Sequence, residues 1–302
     1  MIKDIRTFKD LELACSQQHK AIYEVFQERE ARLSEISVEE VRAKVKKSLD
    51  AMKEAIKKGS NTREKSISKQ CGDDCVQLSE RYKKRPAIFG RTYEKITTYA
   101  LATIEENLRM GKIVACPTAG SCGIVPSVLV AISEEYELDE DVQINALITA
   151  GAIATIISYK VALAGAVAGC QAECGVASAM SAGALTQMFG GTVNQIMNSI
   201  ALTLKNILGL TCDPVAGLVE IPCVKRNPFL AINAVTGYEL AISGIKSKIP
   251  VDEVVDAMMQ IGELMSPTLK ESSQAGLAKT KTAIKIENEL KEKYGVKQWN
   301  FK

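Results

Sequence analysis

The chain has 302 residues, 46% hydrophobic and 25% charged, a globular balance that excludes wholesale disorder and suffices for a sizeable core. Its 38 basic and 36 acidic residues leave a net charge of +2, which excludes a strong electrostatic pull toward nucleic acid or an anionic membrane. The single histidine, His19, excludes a multi-histidine zinc site; it reads as a structural or surface residue.

The N-terminal stretch MIKDIRTFKDLELACSQQ is charged throughout and has no apolar signal-peptide core, so a cytoplasmic setting with reduced thiols is expected. Two helices are predicted between Phe8 and Lys58, because Val41, Val45, Leu49, Met52 and Ile56 recur at helical spacing. Ser37 reads as an N-cap, with Glu40 three residues on completing a capping box. Gly59–Thr62 should end the second helix. A loop over 66–74 and a short basic helix to Arg85 follow. Pro86 and Gly90 mark a soft boundary between an N-terminal helical region, 1–90, and a larger region, 91–302, within one continuous domain. A further helix is predicted from Thr92 to Met110. Residues 1–112 hold 24 basic and 18 acidic residues, leaving 14 and 18 for the rest; both halves are mixed in sign and read as solvated helix faces.

Composition then changes. Residues 146–190 contain 13 Ala, 6 Gly and only two charges, Lys160 and Glu173. The apolar run from Ala146 to Tyr159 is too short to span a bilayer comfortably, so buried helices packed through small side chains are expected, with no membrane role. Helices are predicted over 192–208, 227–245, 251–264 and Thr280–Lys293. No sustained period-2 alternation occurs, so few strands are expected.

Cysteine is abundant, nine in all. The groupings Cys71-x3-Cys75, Cys116-x5-Cys122, Cys170-x3-Cys174 and Cys212-x10-Cys223 match neither a zinc ribbon nor a bacterial ferredoxin run. Context is more informative than spacing. Cys170 ends the small-residue core, and Cys212 and Cys223 bracket a loop that two prolines and a glycine restrict. Such a loop can fix thiolates around a metal, although a cysteine in an alanine-rich core is equally a small hydrophobe. Glu173, isolated in the core, must be paired or functional, since a lone buried carboxylate is costly. In Pro117–Gly123, Gly120 and Gly123 permit unusual backbone angles. Exposed N–H groups there, with the Thr118 and Ser121 hydroxyls, could bind a carboxylate or phosphate; an ordinary capped loop is the alternative. Lys225 and Arg226 could attract an anion, or cap, or face solvent.

Three strings, PTAGSCGIVPSVL (117–129), GCQAECGVASAMSAGAL (169–185) and CDPVAGLVEIPCVKRN (212–227), resemble the iron–sulfur L-serine dehydratases, and the chain is similar to the α subunit of their two-subunit type. The resemblance runs nearly the whole length. It implies an all-α, multi-helix catalytic subunit with a [4Fe–4S] cluster on Cys170, Cys212 and Cys223, one iron left without a protein ligand, and no pyridoxal phosphate. It implies L-serine as substrate, with Thr118, Ala119, Gly120, Ser121 and Gly123 at its carboxylate, and a separate β subunit with an ACT-like regulatory region. No base is assigned by it. In some single-chain relatives a C-terminal cysteine occupies the open iron; the tail Lys297–Lys302 has none. The loop 68–74 departs from the family's Ser-Gly-x-Thr-Gly-Gly-Asp, Tyr159 stands where many members have Asn, and Gly165–Cys170 lacks the usual acidic residue. Cys71, Cys75, Cys116, Cys122 and Cys174 are not carried over as ligands. A cysteine desulfidase-like lyase and a non-catalytic iron–sulfur sensor are the alternative readings.

Overall fold

The computed structural model describes residues 4–295. The cysteine-free tail lies outside the described residues. Thirteen α-helices make up the described fold, α1 (Phe8–Gln18), α2 (Ile22–Ser34), α3 (Val38–Gly59), α4 (Asp74–Lys84), α5 (Gly90–Leu108), α6 (Ile124–Glu135), α7 (Glu140–Ser158), α8 (Gly165–Ala168), α9 (Val176–Met188), α10 (Val193–Lys205), α11 (Cys223–Ile242), α12 (Val251–Leu264) and α13 (Lys281–Tyr294). Among the described residues extended pairing is confined to one isolated parallel bridge, Cys212 with Lys270. The expected all-α architecture is what the chain adopts.

Local chemistry sets the helix starts. Ser37 Oγ accepts from Glu40 N (3.1 Å) while Glu40 Oε2 accepts from Ser37 N (2.9 Å), the reciprocal box expected at α3. Thr7 with Asp10 and Thr192 with Gln195 repeat it at α1 and α10. Residues 8–58 form three helices rather than the two expected. His19 takes a left-handed conformation that ends α1 (φ 53°), and Glu24 then caps the Ala21 N–H (2.7 Å) to start α2. His19 is exposed, a helix-ending residue. α11 also starts earlier than the predicted 227, at Cys223, with Pro228 inside it. The first helical N–H groups need no partner within the helix, and here Val224 N and Arg226 N donate back to the carbonyls of Glu220 and Pro222.

α9 is the axis of the core. Every residue from Val176 to Thr186 is buried, and α6, α7, α10 and α11 pack around it. Such a helix is apolar on all sides, and its Ala and Gly positions let neighbours approach closely. α7 begins before the apolar run, at Glu140, and by length and composition alone could cross a membrane; most of that apolar window is buried inside the protein, against α9 and α2. The N-terminal helices join the same core, since Phe8, Leu11, Ile22, Phe26 and Leu49 belong to one buried cluster with α6, α7 and α9.

Candidate metal and substrate site

Three cysteines from three segments lie near one another beside the N-terminal end of α9, close enough that Cys170 and Cys223 each act electrostatically on Cys212. Gly169, in a left-handed conformation (φ 77°), ends α8 and turns the chain into Cys170. A π-turn, Gln171–Gly175, then leads into α9; such wide turns are frequent at functional sites. Gln171 brings the second segment alongside: its Oε1 accepts from Gly209 N (2.9 Å) and its backbone N–H donates to Leu210 O (3.0 Å). Cys212 is then held by the 269–271 strand-like segment, with Cys212 N donating to Leu269 O (2.9 Å) and Glu271 N to Cys212 O (2.6 Å). Cys223 arrives at the first turn of α11, which packs on α9.

All three thiols are buried, and each of Cys212 and Cys223 feels the charge of Cys170. Burial pushes the Cys212 and Cys223 thiols well up. Cys170 is held down, first by a hydrogen bond from the Cys174 thiol and then by Arg226. Among the described residues no hydrogen bond reaches the sulfur of Cys212 or Cys223. The contrast with the other cysteines is plain. Cys75 Sγ donates to Thr98 O (3.2 Å) and Cys122 Sγ to Thr103 O (3.9 Å), both into α5, where Cys71, Cys75 and Cys122 form a separate small core with Leu101 and Ile104. Cys15 and Cys116 are buried hydrophobes, pushed up by desolvation to about 11 and about 12.

Glu173 links these thiols to the 117–123 loop. Its carboxylate lies with the sulfurs of Cys170 and Cys174 inside one sphere of possible metal ligands and accepts a hydrogen bond from Thr118 Oγ1. Burial raises its pKa despite that bond. The loop glycines serve close approach rather than the unusual backbone angles expected of them: Gly123 has φ −82°, and a Cβ on Gly120 would stand 2.7 Å from Glu173 Oε1. Gly165 is the corresponding position on the other side, where a Cβ would stand 2.9 Å from both Cys212 Sγ and Glu173 Oε2. Asn227 fixes the loop from α11, accepting from Gly123 N (2.9 Å) and donating to Gly120 O (2.9 Å).

Of the loop residues singled out in the sequence, Thr118 and Gly120 face Glu173. Ser121 is fully buried and donates to Cys116 O (3.1 Å). Gly123 N is occupied by Asn227, and Ala119 is exposed. Two neighbouring carboxylates carry no signal in the sequence. Glu271 has its pKa raised by burial although Ala166 N–H donates to it, and its charge acts on Cys212, Cys223 and Glu173. Asp213 accepts from Leu277 N (2.8 Å) and Arg226 (3.2 Å). Arg226 also donates to Thr211 O (2.8 Å), so it neither caps nor faces solvent. Lys225 is bonded to Asp74 (2.5 Å) and lies 3.5 Å from Cys71 Sγ. The divergent 66–74 loop is clasped to the Cys212–Cys223 loop by Glu220, which accepts from Ser66 Oγ (2.8 Å) and Ser68 Oγ (2.5 Å). Tyr159 accepts from Arg29 (2.5 Å).

The donor set fits a soft, thiolate-bound metal group. Three buried thiols stand with three carboxylates, Glu173, Glu271 and Asp213, beside the single guanidinium of Arg226, and a bound cationic centre would draw the thiols and carboxyls that burial raises into their charged, ligating forms. The Cβ-free faces of Gly165 and Gly120 keep the space between Cys212, Glu173 and the loop clear. Chemically, such a pocket can hold a metal group beside a hydroxyl donor and a carboxylate.

Residues 17–278 match the family model for the serine dehydratase alpha chain. The chain is similar to a Bacillus subtilis protein named "Probable L-serine dehydratase, alpha chain", 39% identical over 94% of this chain and 95% of the relative. It is as similar to the L-serine dehydratase alpha chain of Peptoniphilus asaccharolyticus, 39% identical over 95% and 98%. The L-serine dehydratase of Helicobacter pylori is 37% identical over 92% of this chain but only 62% of its own length.

Proposed function

The chain belongs to the serine dehydratase alpha-chain family, a family of lyases, and from that premise we propose that it deaminates L-serine to pyruvate and ammonia. In this reading Cys170, Cys212 and Cys223 hold a [4Fe–4S] cluster, the reaction uses no pyridoxal phosphate, and a β chain with an ACT-like regulatory region completes the enzyme. The observation that supports the reading is Glu173, which groups with the Cys170 sulfur, lies across Gly165 from Cys212, bears electrostatically on Cys223 and accepts from Thr118 of the 117–123 loop. When bound, such a cluster supplies Lewis acidity at an iron without a protein ligand.

The chain's own residues then do the rest. The loop of Thr118, Ala119, Gly120, Ser121 and Gly123 receives the substrate carboxylate through the Thr118 hydroxyl and the Ala119–Gly120 backbone, while Ser121, bonded to Cys116 O, and Gly123, bonded to Asn227, hold the loop's shape. Asn227 keeps that loop from shifting by bonding both Gly120 and Gly123, which supports the near-attack placement that elimination requires. Glu173, raised by burial, orients Thr118. Arg226 supplies positive charge beside Cys170. Loss of the Cα proton and the β-hydroxyl as water gives aminoacrylate, which tautomerises to the imine and hydrolyses to pyruvate and ammonia.

The test is pyruvate formation from L-serine under anaerobic conditions, with the chain reconstituted with iron and sulfide and joined to its β chain. Activity should appear with L-serine, exceed that with L-cysteine, and vanish in air. A brown, intact enzyme that turned over cysteine in preference, or neither amino acid, would overturn the reading in favour of a desulfidase or a sensor.

A further inference from the structure

The face formed by the N-terminal end of α5 and the outer side of α11 exposes an aromatic surface that nothing in the described chain covers. Ile88, Phe89 and Phe229 are 91%, 77% and 75% exposed. Large apolar groups this open cost free energy in water unless a partner covers them. Phe89 stacks on Tyr93 (5.4 Å), Phe189 on Tyr136 (5.0 Å) and Phe189 on Tyr238 (5.5 Å). These five of the chain's fifteen aromatic residues line one hollow of about 430 Å3 floored by Ile96 and Ile232. A second hollow continues along α11 between Phe229, Leu78 and Arg81. Lys225, Phe229, Ile232 and Thr236 follow at helical spacing, so the two hollows share one helix face. Aromatic concentration with an apolar centre is the composition of an interface core.

The rim selects the occupant. Lys83, Lys84 and Arg85, which lie shortly before Ile88 in the chain, are exposed and have no ion-pair partner among the described residues, and they outnumber the one exposed acid that lines the aromatic hollow, Glu239. Arg91, also exposed, lies 3.7 Å from Glu135. A second copy docked about a two-fold axis would set this basic rim against itself. A partner with an acidic border around an apolar knob would not. The Helicobacter pylori relative extends well beyond the matched region, so the family carries additional polypeptide that in a two-chain enzyme must associate without a covalent link.

We propose that the Ile88–Phe89–Phe229 face is the docking surface for the second subunit, which presents an acidic-rimmed apolar surface to it. This rests on the two-chain reading above. Its position follows from that role: the first turn of α11 holds Cys223, and Phe229 lies further along the same helix, so an occupant here would sit against the element that carries one of the three thiols.

The experiment measures binding of the purified full-length chain to the β chain of its own organism, by light scattering and by interferometry at two salt concentrations. Ile88→Asp/Phe89→Asp should weaken binding by about 100-fold or more, as removal of interface anchors does. Lys83→Glu/Lys84→Glu, a surface change that does not touch the aromatic hollow, should slow association and flatten its salt dependence. Leu33→Asp, at an exposed position on α2, should leave binding at the wild-type level. Wild-type affinity in both the apolar and the charge variants, with their melting curves unchanged, overturns the docking surface and leaves the two-chain reading standing. Full serine turnover by the chain alone, with no binding of the β chain, overturns the two-chain reading and the surface with it. A wild-type self-dimer broken by Ile88→Asp/Phe89→Asp would assign the face to a second copy and overturn the proposal.

Discussion

Two classes of cysteine share one burial and differ in what surrounds the sulfur. Cys75 and Cys122 are satisfied by carbonyls of α5, whereas Cys212 and Cys223 face other thiols and carboxylates. Cys212→Ala and Cys223→Ala are therefore expected to lose bound iron and sulfide together with turnover, while Cys122→Ala keeps both and loses only packing, about 1–3 kcal/mol of stability. Iron and sulfide assays on the anaerobic proteins distinguish the two. Retention of a full complement in either of the first pair would remove it from the ligand set. Glu105 gives a separate prediction at this scale. It is fully buried, and burial pushes its carboxyl up to about 7 although Arg109 (3.4 Å) and the Asp74 N–H (2.8 Å) favour the charged form. A folded-state pKa above the unfolded value of 4.5 means that the folded chain binds the proton more tightly. Stability from this group is thus present at low pH and declines as pH rises from about 4.5 to about 7. Glu105→Gln cannot ionise, so urea unfolding should show the variant gaining on the wild type across that window, by up to about 3 kcal/mol.

At the scale of elements, helix crossings depend on absent side chains. A Cβ on Gly59, the last residue of α3, would stand 2.9 Å from Ala102 Cα and closer still to its carbonyl. The obstruction is backbone of α5, which cannot rotate away. Gly59→Ala should accordingly destabilise by about 2 kcal/mol or more despite its better helix propensity, read as a lowered urea midpoint with an unchanged slope. Ser37→Ala, which removes one half of a capping box on an exposed turn, should cost about 1 kcal/mol. The Gly165 and Gly120 positions follow the same logic at the site. Gly120→Ala would press on Glu173 Oε1, and the expected result is a loss of serine turnover with iron content preserved.

For the molecule as a whole, α9 couples the two predicted halves of the site. The π-turn at its start carries Glu173 and Cys174 just after Cys170, α11 brings Cys223 against it, and α6 follows the 117–123 loop. A change that loosens the α9 packing should therefore affect metal retention and substrate affinity together. Ala182→Leu, at a fully buried position of α9, is expected to overpack by about 1–3 kcal/mol and to lower both iron content and serine affinity. Iron content and KM measured on one preparation would check this, and a change in only one of them would count against the coupling.

Much was legible in the chain itself. Helical periodicity, the Ser37 box and the small-residue composition of 146–190 are local signals, because helix formation depends on neighbours three or four residues apart. The motif strings carried the family and the three candidate ligands for the same reason, since each is contiguous. The extra break at His19 was not legible: a left-handed residue there depends on how α1 and α2 pack, not on propensity. Glu271, Asp213 and the Glu220 clasp were equally hidden, because each meets the site from a distant part of the chain and no spacing rule links Glu220 to Ser66. The glycines of 117–123 stand out in the sequence for backbone freedom, yet their use is to let Glu173 and Asn227 approach. By itself the sequence determined which segments are helices and which residues could serve as soft ligands, both being properties of residue type and short-range order. Only the tertiary structure decided which thiols lie near Glu173 and which other carboxylates stand beside them, because burial and long-range contact arise from the packing of the whole chain.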